Sequence, residues 1–241
     1  MLEEKDTAIN YTILGHTITV HLYYDPQYEI DTTLDHLEAA LTANVSFYTT
    51  FGTLPKDIDV HLLYTRQQYD EVIGHASQPW AGGHSHGSEA YLFHPDRIEV
   101  ETTHLRGSFS KTLIHEISHI FTRALFKKYL WWVTEGVAQY IARQDEIKSL
   151  EEASISHFLT NSLTANIKYG DFANAQGHQM SKQLTYAIAR RYGVSALYEL
   201  LSINPDEEDA NGKLAKILRT DTIHLQNTVR KLLGTEHRPS K

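Results

Sequence analysis

His115, Glu116 and His119 fall within the stretch TLIHEISHIF, residues 112–121. On a helix, His115 and His119 stand about 6 Å apart along the axis and about 40° apart in azimuth. Two imidazoles at that spacing can reach one ion about 2.0–2.1 Å from each ring nitrogen. Glu116 lies too far round the helix to share that ion comfortably, and is placed to take a proton from water beside it. With 15 His in the chain, chance alone supplies about 0.06 such patterns, so the motif needs support from its surroundings. Phe109, Leu113, Ile114, Ile117, Ile120, Phe121, Ala124 and Leu125 give the helix a broad apolar face, which predicts burial, with Ser108 as N-cap. A polar trio buried there costs several kcal/mol if unpaired, and an ion would supply partners.

Cysteine is absent, so any metal must be held by His, Asp or Glu. A catalytic zinc site takes three protein ligands and keeps a fourth position for water, and the third should come from the next helix. LWWVTEGVAQYIAR follows, with Thr134 as the expected cap of that helix and Glu135 on its first turn. An acidic residue is also favoured at a helix N-terminus on electrostatic grounds alone. Beside the upstream pattern, the ligand reading is the stronger.

HEISH followed by WVTEGVAQY resembles the gluzincin metallopeptidases. The arrangement of Trp132, Glu135, Gly136 and Ala138 is similar to that of aminopeptidases of this clan, and closer still to smaller bacterial and archaeal peptidase MA-like domains. The motif pair is specific; looser likeness extends over most of the chain. The resemblance implies an α+β fold of zincin (thermolysin-like) architecture, with an edge strand over the cleft. It implies one Zn2+ per chain held by His115, His119 and Glu135, with Glu116 as general base and a peptide or protein as substrate. It also implies an oxyanion donor, Tyr or His, on a helix after Glu135. Tyr186 and His178 both fit and, eight residues apart, could share a face; Tyr186 reads equally as a core aromatic. Gln139 could hydrogen-bond a ligand histidine or face solvent.

WAGGHSHG, residues 80–87, lies where such proteins carry their edge strand. As a strand it would pair with an extended peptide, with Gly82 and Gly83 admitting a close backbone. His84 and His86 would then project to one side and could bind a second metal. The plainer reading is a flexible loop. The acidic exopeptidase motif of the clan's aminopeptidases has no convincing equivalent, Glu89 being displaced, so endopeptidase and aminopeptidase both stay open. A zinc-binding but proteolytically silent scaffold and a non-peptide amide or ester hydrolase are the alternatives; a purely structural site needs no Glu116.

The surrounding elements divide at about residue 128. Residues 1–128 read as a mixed α/β half and 129–241 as a helical half bearing the third ligand. YTILGHTITVHLYY reads as two strands, residues 32–51 as an amphipathic helix, DIDVHLLYT as a strand and RQQYDEVIG as a short helix. Further strands are expected at 91–93 and 97–101, with later helices broken near 128–130, 169–177, 204–209 and 219–221. A net charge of −8 argues against nucleic acid as the main partner. No apolar run approaches the ~18 residues of a membrane span, and the polar start MLEEKDTAIN is unlike a signal peptide, so a cytoplasmic location is expected, a trimmed exported protein being the alternative. His36, His157, His224 and His237 sit singly in polar surroundings and read as solvated.

Overall fold

The computed structural model describes residues 5–146, 148–166, 168–174 and 176–235; His237 lies outside them. The chain divides into two compact units, Met1–Leu125 and Phe126–Lys241.

The first unit is built on one five-stranded mixed sheet. Its elements are β1 (Lys5–Ile13), β2 (His16–Tyr24), α1 (Asp31–Tyr48), β3 (Asp57–Leu63), α2 (Arg66–Ile73), β4 (Gly83–His86), β5 (Glu89–Phe93), the single-turn α3 (Ile98–Glu101) and α4 (Phe109–Leu125). The strand order is β1-β2-β3-β5-β4, which puts β4 at an edge. β1 and β2 are antiparallel, β2, β3 and β5 parallel, and β4 antiparallel to β5. Alternation sorts the two faces. Ile18, Val20, Leu22, Ile58, Val60, Ala90 and Leu92 are fully buried, while Tyr23, His61 and Tyr91 fall on one rung of the other face. Their rings stack at 4.3 and 4.6 Å, which suits a half-buried sheet surface.

α1 packs on α4. Tyr48 is the seam: its hydroxyl lies 2.9 Å from Ser118 Oγ and 2.8 Å from Thr122 Oγ1. Asn44 adds a second tie, its Nδ2 donating to the Ile114 carbonyl at 3.1 Å. Ser108 does not cap α4. It ends a 3-10 turn, and its hydroxyl donates back to the Leu105 carbonyl at 2.7 Å.

Two further local readings are overturned, a strand at 97–101 and a flexible loop at 80–87; at the second the edge-strand reading holds. Residues 97–101 are not a strand: Arg97 pairs with Glu101 one helical turn on at 2.6 Å and donates from Nε to the Tyr64 carbonyl at 2.9 Å. The apparent alternation of Ile98 and Val100 is broken, since Ile98 is buried and Val100 is 68% exposed. The glycine-rich stretch is a strand, β4, closed onto β5 by a tight hairpin at Gly87.

The second unit is helical: α5 (Trp131–Ile141), α6 (Glu152–Asn161), α7 (Tyr169–Asn174), α8 (Gly177–Tyr192), α9 (Val194–Leu201), α10 (Ala210–Ile217) and α11 (Leu225–Thr235). The short α7 occupies most of an expected break. α5 is the central element, with Trp132 to Gln139 all buried, and it packs chiefly on α8. It begins before the expected cap. The first amide, Trp131 N–H, donates to Asn166 Oδ1 at 2.9 Å, while Thr134 sits inside the helix and donates to the Trp131 carbonyl. His157 and His224 are exposed, and His36 is half-buried against the Phe109 ring. Among the described residues, no helix is long and apolar enough to cross a membrane.

Candidate metal centre

α4 presents His115 and His119 one turn apart, with their Nε2 atoms 3.0 Å from each other. Two nitrogens bound to one tetrahedral ion stand ~3.4 Å apart, so the rings need move little to share one. The same approach also allows one N–H···N hydrogen bond. Glu116 is 7% exposed and lies under β4. A Cβ added at Gly83 would meet Glu116 Cγ and Oε1 at 2.9 Å each. The space at Gly83 is therefore filled by the chain's own carboxylate. Gly82 is filled likewise, by the His104 ring at 2.9 Å.

β4 also brings His84 toward this side chain. Burial holds the His84 pKa below the ordinary histidine range, with the Glu116 carboxylate pulling the other way. Tyr69 anchors the strand by donating to the Gly83 carbonyl at 2.6 Å.

In the second unit Glu135 is 8% exposed on α5. Two groups converge on its Oε1: Gln139 Nε2 donates at 3.0 Å and His178 Nδ1 stands at 2.9 Å. Gln139 thus holds the carboxylate rather than a histidine, and among the described residues its own Oε1 is buried without a partner. Tyr186, on α8 with His178, reaches the Gln139 carbonyl at 3.5 Å, and its ring meets Tyr140 edge-on. Burial and then Asp145 push its pKa up to about 12, so it stays a protonated donor at neutral pH. α5 can approach α8 this closely because of Gly136, where a Cβ would lie 2.0 Å from Thr185 Oγ1.

Among the described residues, one group of three or more His and acidic side chains could hold a metal ion: His115, His119 and Glu135, whose ligand-type atoms all lie within 4.8 Å of one another. Two imidazoles and a carboxylate without sulfur suit a borderline divalent cation. Among the described residues, His84 and His86 enter no such group.

The positions of His178 and Gln139 against Glu135 are what sequence reasoning missed. The sequence suggests other roles for both; the i,i+4 spacing of Gln139 from Glu135 is the local signal that relates it to the carboxylate, whereas His178 arrives from another helix. No protein-family model matches the chain, and no curated protein matches it.

Proposed function

We propose that the chain is a zinc-dependent metallopeptidase that hydrolyses peptide bonds. The observation carrying this reading is the convergence of His115, His119 and Glu135 within 4.8 Å, with a buried carboxylate, Glu116, one residue after the first histidine. The five-stranded mixed sheet with β4 at its edge, packed against the helix bearing HEISH, supports a zincin, thermolysin-like architecture.

His115, His119 and Glu135 would be the ligands. A divalent ion held by them would polarise a carbonyl and bring the pKa of water toward ~7. Glu116 takes the proton from the attacking water and delivers it to the departing amine. Its burial beside Gly83 fixes where that proton moves. Gln139 and His178 orient the Glu135 carboxylate, as partners of a metal ligand must. Tyr186, held protonated, remains the candidate donor to the developing oxyanion, and His178 is the alternative if its ring turns from Glu135. Such a donor is worth ~3–4 kcal/mol. β4, paired on one side only, offers its other edge to an extended peptide.

The test is Glu116→Gln, assayed on a peptide library with metal content measured in parallel. Hydrolysis should fall at least a hundredfold with zinc still near one equivalent per chain. A parent protein that binds zinc but cleaves no peptide would favour the silent scaffold; cleavage confined to small amides or esters would favour the non-peptide hydrolase.

A further inference from the structure

The second unit contains a cleft of about 320 Å3 away from α5, lined by Arg191, Tyr192, Arg219, Thr220, Thr228 and Lys231. Three elements supply these groups: the last turn of α8, the turn following α10, and α11. Tyr192 ties the first two together, its hydroxyl donating to the Leu218 carbonyl at 3.0 Å. The guanidinium carbons of Arg191 and Arg219 lie 5.6 and 5.8 Å from the centre of the Tyr192 ring, so both side chains are steered by one aromatic surface. The Thr220 and Thr228 hydroxyl oxygens are 3.2 Å apart.

Among the described residues no carboxylate lines the cleft, and none of the three cations makes an ion pair. This is a local concentration of positive charge in a chain of net charge −8. A basic residue near the end of α8 complements the helix dipole, which accounts for Arg191 alone. It does not account for a cation and hydroxyls arriving from two other elements. Arg219 is unusual in its backbone as well. Its φ is 51°, and it closes α10 through Arg219 N–H to Lys216 O and Thr220 N–H to Ala215 O. Glycine would make that stop without strain; arginine there puts a guanidinium beside Tyr192.

We propose that this cleft binds a phosphate-bearing small molecule. Two planar guanidinium forks match phosphate oxygens, the Lys231 ammonium adds a point charge, and the threonine hydroxyls add donors. A volume of about 320 Å3 exceeds what one phosphate fills and reaches the lower range of small-molecule sites, leaving room for a compact organic group such as a sugar.

Calorimetric titration of the full chain with inorganic phosphate and with glucose 6-phosphate tests this, with acetate as the control anion. Saturable binding is expected, tighter for glucose 6-phosphate, and weakened roughly tenfold or more by losing one charged donor. Arg219→Gly removes a donor while relieving the left-handed backbone, so its unfolding midpoint should not fall. Lys231→Gln removes another from an exposed position. The proposal is overturned if neither phosphate compound binds, if acetate binds as well as they do, or if both variants bind like the parent. It is overturned equally if binding vanishes on chelating bound metal yet survives both substitutions, since the phosphate would then be reporting the other site.

Discussion

Replacing Gly136 by alanine puts a methyl group where the two central helices of the second unit touch. It would lie 2.0 Å from Thr185 Oγ1, 2.5 Å from the Ser181 carbonyl oxygen and 2.9 Å from Thr185 Cβ. Relaxed contacts of this kind sit near ~3.5 Å. The Thr185 side chain can rotate, but the Ser181 carbonyl belongs to the backbone of α8 and can retreat only with its helix. Relief therefore requires α5 and α8 to part by about 1 Å. Trp132, Val133, Val137, Leu184 and Ile188 are each no more than 1% exposed, so parting the helices opens gaps in a close-packed core. Overpacking costs ~1–3 kcal/mol when side chains can yield, and backbone obstruction places this case at about 3 kcal/mol or beyond. Gly→Ala in a helix returns ~1 kcal/mol of propensity, leaving a net loss of at least ~2 kcal/mol. Urea unfolding followed by circular dichroism measures it. Thr185→Ala should cost only about 1 kcal/mol alone, because among the described residues Thr185 Oγ1 is buried without a partner and the loss is that of its methyl group. The double variant should recover only part of the loss, since the Ser181 carbonyl remains. Gly136→Ala as stable as the parent, or full rescue by Thr185→Ala, would refute the reasoning.

Gly83→Ala should leave the fold in place, because the obstacle is the side chain of Glu116 at 2.9 Å and Thr112 Cγ2 at 3.0 Å; if the proposed peptidase reading holds, turnover should drop up to a hundredfold from displacement of Glu116, with zinc content unchanged. Tyr48→Phe should cost ~1–3 kcal/mol at neutral pH by stranding the buried Ser118 and Thr122 hydroxyls. Burial of Tyr48 raises its pKa from 10.0 to about 12, so the hydroxyl's contribution is complete below pH ~10 and is lost as pH rises through ~12, where ionisation favours the unfolded chain. Parent and Tyr48→Phe stabilities should thus converge between those limits; a constant gap would contradict the assignment. Zinc supplied at a hundred times its dissociation constant should add ~2.7 kcal/mol to the parent and nothing to His119→Ala, as read from unfolding midpoints with and without chelator.

What could be read from the sequence was whatever depends on spacing within one element. The apolar period of α4 and the two histidines on it are local properties, and so is the alternation of β2 and β3. The misreadings share a different cause. α5 begins at Trp131 rather than at Thr134 because its first amide is satisfied by Asn166, a side chain no local rule connects to it. Residues 97–101 alternate like a strand, yet Glu101 is drawn into a helical turn by Arg97 and also accepts the Arg66 amide at 2.7 Å. The glycines show the limit most clearly. In sequence, Gly82 and Gly83 read as a loop or as room for a neighbouring peptide backbone, and Gly136 as one position of a motif. In the structure all three are spacers, and Gly83 and Gly136 serve the candidate site directly. Gly83 makes room for the Glu116 carboxylate, and Gly136 lets α8 come close enough for His178 to reach Glu135. A missing Cβ has no periodicity to detect, so its purpose becomes visible only once the side chain that fills the space is known. That is why the candidate metal ligands could be named from spacing while the glycines that make room around them could not be assigned that purpose.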